Sequence, residues 1–202
     1  AFFVGANGSG KSTLFDVFGF LRDALQDNVH AAVGKRGGFR ELRSRGAEGP
    51  IGVEIKFRYR PGGPLATYQL EVNENEGRVY VARELLKYRR GQHGRPWHFL
   101  DFKDGEGTAI TNEVEEVTDE KELDRESQKL DSPDILALKG LGQFERFKVA
   151  SSFRRLIERW HLSDFHIHAA RQVQDAGHAE HLSPGGDNLS LVTQYLFRHH
   201  RK

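Results

Sequence analysis

Residues Gly5-Ala6-Asn7-Gly8-Ser9-Gly10-Lys11-Ser12 satisfy GxxxxGK[ST], a spacing suited to holding a polyphosphate. Such a ligand needs several backbone N–H groups pointing inward, and glycines at positions 5, 8 and 10 leave room for that approach. A helix opening near Lys11 adds the positive end of its dipole. The Lys11 ammonium can then reach the β- and γ-phosphates, and the Ser12 hydroxyl can ligate Mg²⁺. Lys11 is the candidate catalytic residue and Ser12 the candidate metal ligand.

This loop works only between a strand and a helix. The apolar run Phe2-Phe3-Val4 precedes it, and Leu14, Val17, Phe18, Leu21 and Leu25 follow at helical spacing. From Val33 to Pro50 glycine and arginine dominate, which predicts an exposed basic loop. Ile51, Val53, Ile55, Phe57 and Tyr59 then alternate with polar residues as in a half-buried strand. Strand-like runs at 67–72, 78–83 and 97–102 extend this into an antiparallel meander. Residues 113–126 carry eight acidic side chains and little to bury, predicting a solvated helix or insert. Two amphipathic helices follow, one marked by Phe153, Leu156, Ile157 and Trp160, the other by Leu189, Val192, Tyr195 and Leu196.

The 202 residues hold 30 Lys and Arg against 29 Asp and Glu, so net charge alone excludes a strongly basic nucleic-acid module. With 37% hydrophobic residues and 22 glycines, the composition is that of a globular domain. The absence of cysteine excludes a disulfide framework, a thiolate zinc site and a cysteine nucleophile, and fits a cytoplasmic location. No apolar run reaches membrane-spanning length, so no membrane partner is expected. The sequence contains no methionine and opens inside a structural element, as an excerpt of a longer protein would.

The run Gly5 through Thr13, with Asn7 ahead of Gly8-Ser9-Gly10, resembles the Walker A loop of ABC-type ATPases. The closer likeness is to their RecF/SMC-like branch, among predicted AAA-family P-loop ATPases. In that branch an antiparallel β-subdomain follows the P-loop helix, and the tail Leu182-Ser183-Pro184-Gly185-Gly186-Asp187-Asn188-Leu189 is similar to a segment found there. The resemblance implies an α/β P-loop NTPase fold: an ABC-ATPase-like lobe with an antiparallel β-subdomain and a partly helical second part. It also implies ATP and Mg²⁺ as cofactors, with nucleotide held by Gly5, Ala6, Asn7, Gly8, Ser9, Gly10, Lys11, Ser12 and Thr13. A homodimer closed around ATP, a DNA partner, and a role in DNA repair or antiviral defence complete what it implies. The chain then divides as a single incomplete ATPase domain: P-loop strand and helix over 1–32, β-subdomain over 51–110, acidic insert over 111–131 and helical second-lobe segment over 132–202.

Hydrolysis in that family needs a strand ending in Asp-Glu, and none is present. Trp97-His98-Phe99-Leu100-Asp101 comes nearest, but Phe102 stands where the glutamate belongs, so Asp101 reads as a solvent-facing strand end. Leu182–Gly186 imitates the family's signature motif but contains Pro184 and reads as a loop and helix cap. The catalytic carboxylates and the signature are expected beyond Lys202. Gln143, between glycines and Phe144, is a second candidate metal contact through the family's Q-loop, with Gln172 and Gln174 as rivals. His166 and His168 would share a strand face, and His178 and His181 lie three apart, a loose pattern for a metal. Basic clusters at 35–45, 83–95 and 198–202 could form a positive face for nucleic-acid phosphates, but net charge near zero weakens that signal and the DNA expectation rests mostly on the resemblance. A P-loop kinase and a nucleotide-gated scaffold without turnover are the alternative functions.

Overall fold

The computed structural model describes residues 4–6, 8–89, 95–111, 120–144, 147–161, 167–171, 177–183 and 185–199. The chain forms two compact units, one of residues 20–158 and one of residues 1–19 with 159–202. No helix among the described residues is long and apolar enough to cross a membrane.

In the unit of residues 20–158, six strands follow one another in a meander. They are β1 (Ile51–Arg58), β2 (Leu65–Asn75), β3 (Arg78–Tyr88), β4 (Trp97–Lys103), β5 (Glu106–Ile110) and β6 (Arg125–Lys129). Their spatial order is their chain order, every pair antiparallel. Two tight turns set the register. Glu76-Gly77 joins β2 to β3 and Asp104-Gly105 joins β4 to β5, all four residues at positive φ, as the right-handed twist of the flanking strands requires. In β1 the apolar positions face inward and Gly52, Glu54, Lys56 and Arg58 are exposed, as the alternation predicts.

A bulge alters the phase of β3. Glu71 opposes Arg83 whereas Val72 opposes Val81, so Ala82 is the extra residue. Val79 and Val81 before it, and Glu84, Leu86 and Tyr88 after it, therefore share the buried face. Helices α2 (Val29–Gly34), α3 (Phe39–Leu42), α4 (Ala137–Leu141) and α5 (Lys148–Glu158) complete this unit with the C-terminal part of α1 (Lys11–Gln26). Phe153 of α5 is fully buried, stacked on Phe57 and tilted against Tyr68, each at 4.6 Å between ring centres.

The other unit holds the start of α1, α6 (Ile167–Ala170) and α7 (Leu189–His199). Its aromatic centre is Trp160, stacked 4.1 Å from Phe18 and 6.4 Å from Phe15.

Several expectations are corrected. The basic stretch after Val33 is an exposed loop only in part: residues 44–50 are exposed and in neither helix nor strand, but Gly38 starts α3, whose Phe39 is buried, and Arg36 is tied to Asp23 at 2.8 Å. The acidic insert contains a strand, since β6 pairs with β5 along its whole length. Ile167–Ala170 is helical, so His168 does not lie on a strand, and His166 lies outside the described residues.

Candidate functional site

The Gly-rich loop turns before it becomes a helix. Ser9 N–H bonds to the Ala6 carbonyl at 3.2 Å, and Gly8 and Gly10 take φ of 80° and 84°. Space in front of both glycines is open, so they are required there by backbone conformation. Gly5 has a different reason: a Cβ there would lie 2.8 Å from Ser9 Oγ.

The first bond of α1 runs from Leu14 N–H to the Gly10 carbonyl at 3.0 Å. The N–H groups of Lys11, Ser12 and Thr13 accordingly project from the helix end, the arrangement that attracts anions. Lys11 Nζ donates to the carbonyls of Gly5 and Ala6, both at 2.7 Å, and to Ser9 Oγ at 3.3 Å. Among the described residues no carboxylate forms an ion pair with it. Ser12 and Thr13 are exposed. The structure thus brings Gly5, Ala6, Gly8, Ser9, Gly10, Lys11, Ser12 and Thr13 into one loop and helix start; Asn7 lies outside the described residues. An ammonium held only by neutral oxygens, beside three outward N–H groups and a hydroxyl, is a donor set suited to a phosphate chain with its metal.

The other candidates are placed differently. Gln143 belongs to the unit of residues 20–158, where its side-chain amide donates to the Lys139 carbonyl at 3.0 Å. Gln172 and Gln174 lie outside the described residues. Asp101 is not a strand end: it sits within β4, paired to Arg83 at 3.4 Å and 3.5 Å from His98 Nδ1. Ser183 bonds through its hydroxyl to Asp187, and its N–H donates to Asn188 Oδ1 at 2.7 Å, so Ser183 is tied to the two residues that precede α7. His161 and His181 stack at 4.2 Å, and His178 meets Tyr195 edge-on at 5.0 Å. Among the described residues no three His, Asp or Glu side chains converge as a metal site would need.

Of the basic groups at 35–45, Lys35 bonds to Asp27 at 3.0 Å and Arg36 to Asp23, while Arg40 and Arg45 are exposed. Arg43 lies over the Phe39 ring.

One group that sequence reasoning missed is Glu84, fully buried on β3. Its carboxyl accepts from Tyr68 Oη at 3.0 Å, Ala137 N–H at 2.6 Å and Leu138 N–H at 3.1 Å. Burial pushes its pKa up to about 7 against the opposing pull of those three donors. Burial and the neighbouring Glu84 likewise push the Tyr68 hydroxyl well above its ordinary value.

A family model described as "AAA domain, putative AbiEii toxin, Type IV TA system" matches residues 1–199. Comparison with curated proteins and comparison with solved structures gave no match. With the family model covering nearly all of the chain, and the Gly-rich loop opening α1, the chain belongs to this AAA-domain family of P-loop, nucleotide-binding ATPases.

Proposed function

We propose that the chain is the ATP-binding part of a RecF/SMC-like ABC-type ATPase, with MgATP held by Gly5–Thr13. The observation that carries this reading is the loop itself: Gly8 and Gly10 at positive φ, three outward N–H groups, and Lys11 Nζ resting on two carbonyls. On binding, Lys11 would exchange those carbonyls for phosphate oxygens, a stronger, charge-assisted contact. The backbone donors of Lys11–Thr13 would hold the same phosphates, and the Ser12 hydroxyl would face Mg²⁺, which neutralises charge on the polyphosphate.

The RecF/SMC-like assignment draws on Asn7 before Gly-Ser-Gly and on an antiparallel sheet following the P-loop helix in sequence. In this reading residues 1–32 form the nucleotide segment. The activating carboxylates come from sequence outside these 202 residues, and a second copy supplies the signature residues across an ATP-closed dimer. DNA is the expected macromolecular partner, in repair or in defence against foreign DNA.

Titration with a fluorescent ATP analogue, with and without Mg²⁺, tests the nucleotide step. Binding that Lys11→Ala weakens at least tenfold is expected, and equal binding by both proteins would remove the proposal. Gel shifts over a salt series test the partner, where no DNA binding at low ionic strength would remove that part alone.

A further inference from the structure

Glu84 is a charged residue type in a dry place. Its three partners are all donors, and no cationic side chain among the described residues pairs with it. Of the charged groups on α5, which packs on α4, Arg154 pairs with Glu158 at 2.7 Å. β2 supplies Tyr68. On β4, Phe102 opposes Glu84, while Asp101 pairs with Arg83 on the other face of the sheet. α4 supplies Lys139, whose ammonium donates to the carbonyls of Gln26 at 2.9 Å and Asp27 at 2.7 Å. α2, packed along β3, carries His30, which is exposed.

The carboxyl also closes the start of α4. Leu136 stands at its N-cap without a side-chain bond, and Glu84 instead receives the first two N–H groups of the helix from 53 and 54 residues away. Upstream, the segment is pinned to the sheet and to α2 by Val81 N–H on the Pro133 carbonyl at 2.8 Å and Val29 N–H on the Asp134 carbonyl at 2.9 Å. Neither tie titrates. α4 also borders a cavity of about 370 Å³ lined by Phe102, Ile110, Leu141 and Phe144, so the helix has room to move.

We propose that Glu84 is a proton-operated latch: its neutral carboxyl keeps α4 closed on β3, and loss of the proton releases α4 about the fixed Pro133-Asp134 anchor. The neutral acid brings no charge into the dry site. Each of its oxygens still accepts a backbone N–H, and its own O–H donates to Tyr68 Oη. The carboxylate keeps three donors but carries a buried charge without a counter-ion, which water meets once α4 swings away. The pKa raised to about 7 agrees in direction, since the closed form then binds the proton more tightly than a solvated carboxyl does.

Amide hydrogen exchange of the peptide spanning residues 132–143, corrected for intrinsic exchange and read from pH 5.5 to 8.0, tests the latch. With values of about 7 closed and 4.5 open, the open fraction rises about 30-fold across that range, and Glu84→Gln abolishes the rise. A flat wild-type profile, or the same rise in Glu84→Gln, overturns the proposal. Tyr68→Phe gives a second arm should the glutamine variant not fold. Tyr68 Oη donates to the carboxylate and accepts from the acid, so its removal moves the midpoint, and an unmoved midpoint counts against the latch.

Discussion

Lys139 Nζ lies 2.9 Å from the carbonyl of Gln26, across 113 residues of chain, and so caps the C-terminal end of the helix that the Gly-rich loop opens. The last turn of α1 has no basic residue of its own, and this ammonium supplies the positive charge that the helix end attracts. Lys139→Ala should lower unfolding free energy by about 1 kcal/mol, with Lys139→Arg recovering most of it. Urea midpoints of the three proteins decide the matter, and an unchanged midpoint in the alanine variant would deny the cap any energetic role.

Lys11→Ala should leave thermal stability within about 0.5 kcal/mol of wild type, because the bonds it removes are exposed to water. Nucleotide affinity should nonetheless collapse. Parallel melting curves without ligand, and binding curves with it, separate the two effects.

Phe153→Ala removes a fully buried ring that touches both Phe57 and Tyr68, at a cost of about 3 to 5 kcal/mol. Chemical denaturation provides the number. A loss below about 1 kcal/mol would mean that α5 does not cover the sheet as described.

Gly107→Ala is predicted to break the pairing of β4 with β5. A Cβ at this position would fall 2.2 Å from the Asp101 carbonyl oxygen and 2.5 Å from Phe102 Cα, and backbone on a paired strand has no means to yield. Circular dichroism should show lost strand signal or an insoluble product, whereas Gly52→Ala on β1, with open space around it, should fold normally.

Stability should depend on pH through Glu84. Its pKa is higher folded than unfolded, so its contribution is complete below about pH 4.5 and is lost as pH rises through about 7. The loss is on the order of 3 kcal/mol for a shift from 4.5 to about 7. Glu84→Gln should flatten that portion of the stability profile. An unchanged slope in the variant would assign the effect to other groups.

The Gly-rich loop was legible because its residue types answer to backbone demands: Gly8 and Gly10 need positive φ, and Lys11 needs a place at a helix start. β1 was legible because one of its faces is wet and the other dry. β6 was not, since all five of its residues are exposed and no apolar alternation marks them. The hairpin at Asp104-Gly105 carried a usable signal, an Asp-Gly pair after an apolar run, which the reading that ended a strand at Phe102 passed over. Glu84 was hidden for a subtler reason. Continuing the alternation from Val79 and Val81 puts it on the outer face, and only the bulge at Ala82 reverses the phase.

The meander lets each strand pair with the one made just before it, so sheet assembly needs no residue beyond Lys129. Glu84, in contrast, waits for Ala137 and Leu138, which follow by 53 and 54 residues. At ribosomal speeds that interval is roughly 3 to 10 s, during which the carboxyl faces water and is ionised at neutral pH. Docking of α4 then dries it. This step, with α5 still to follow, is therefore coupled to uptake of a proton, and a newborn chain in a more acidic medium takes it more readily.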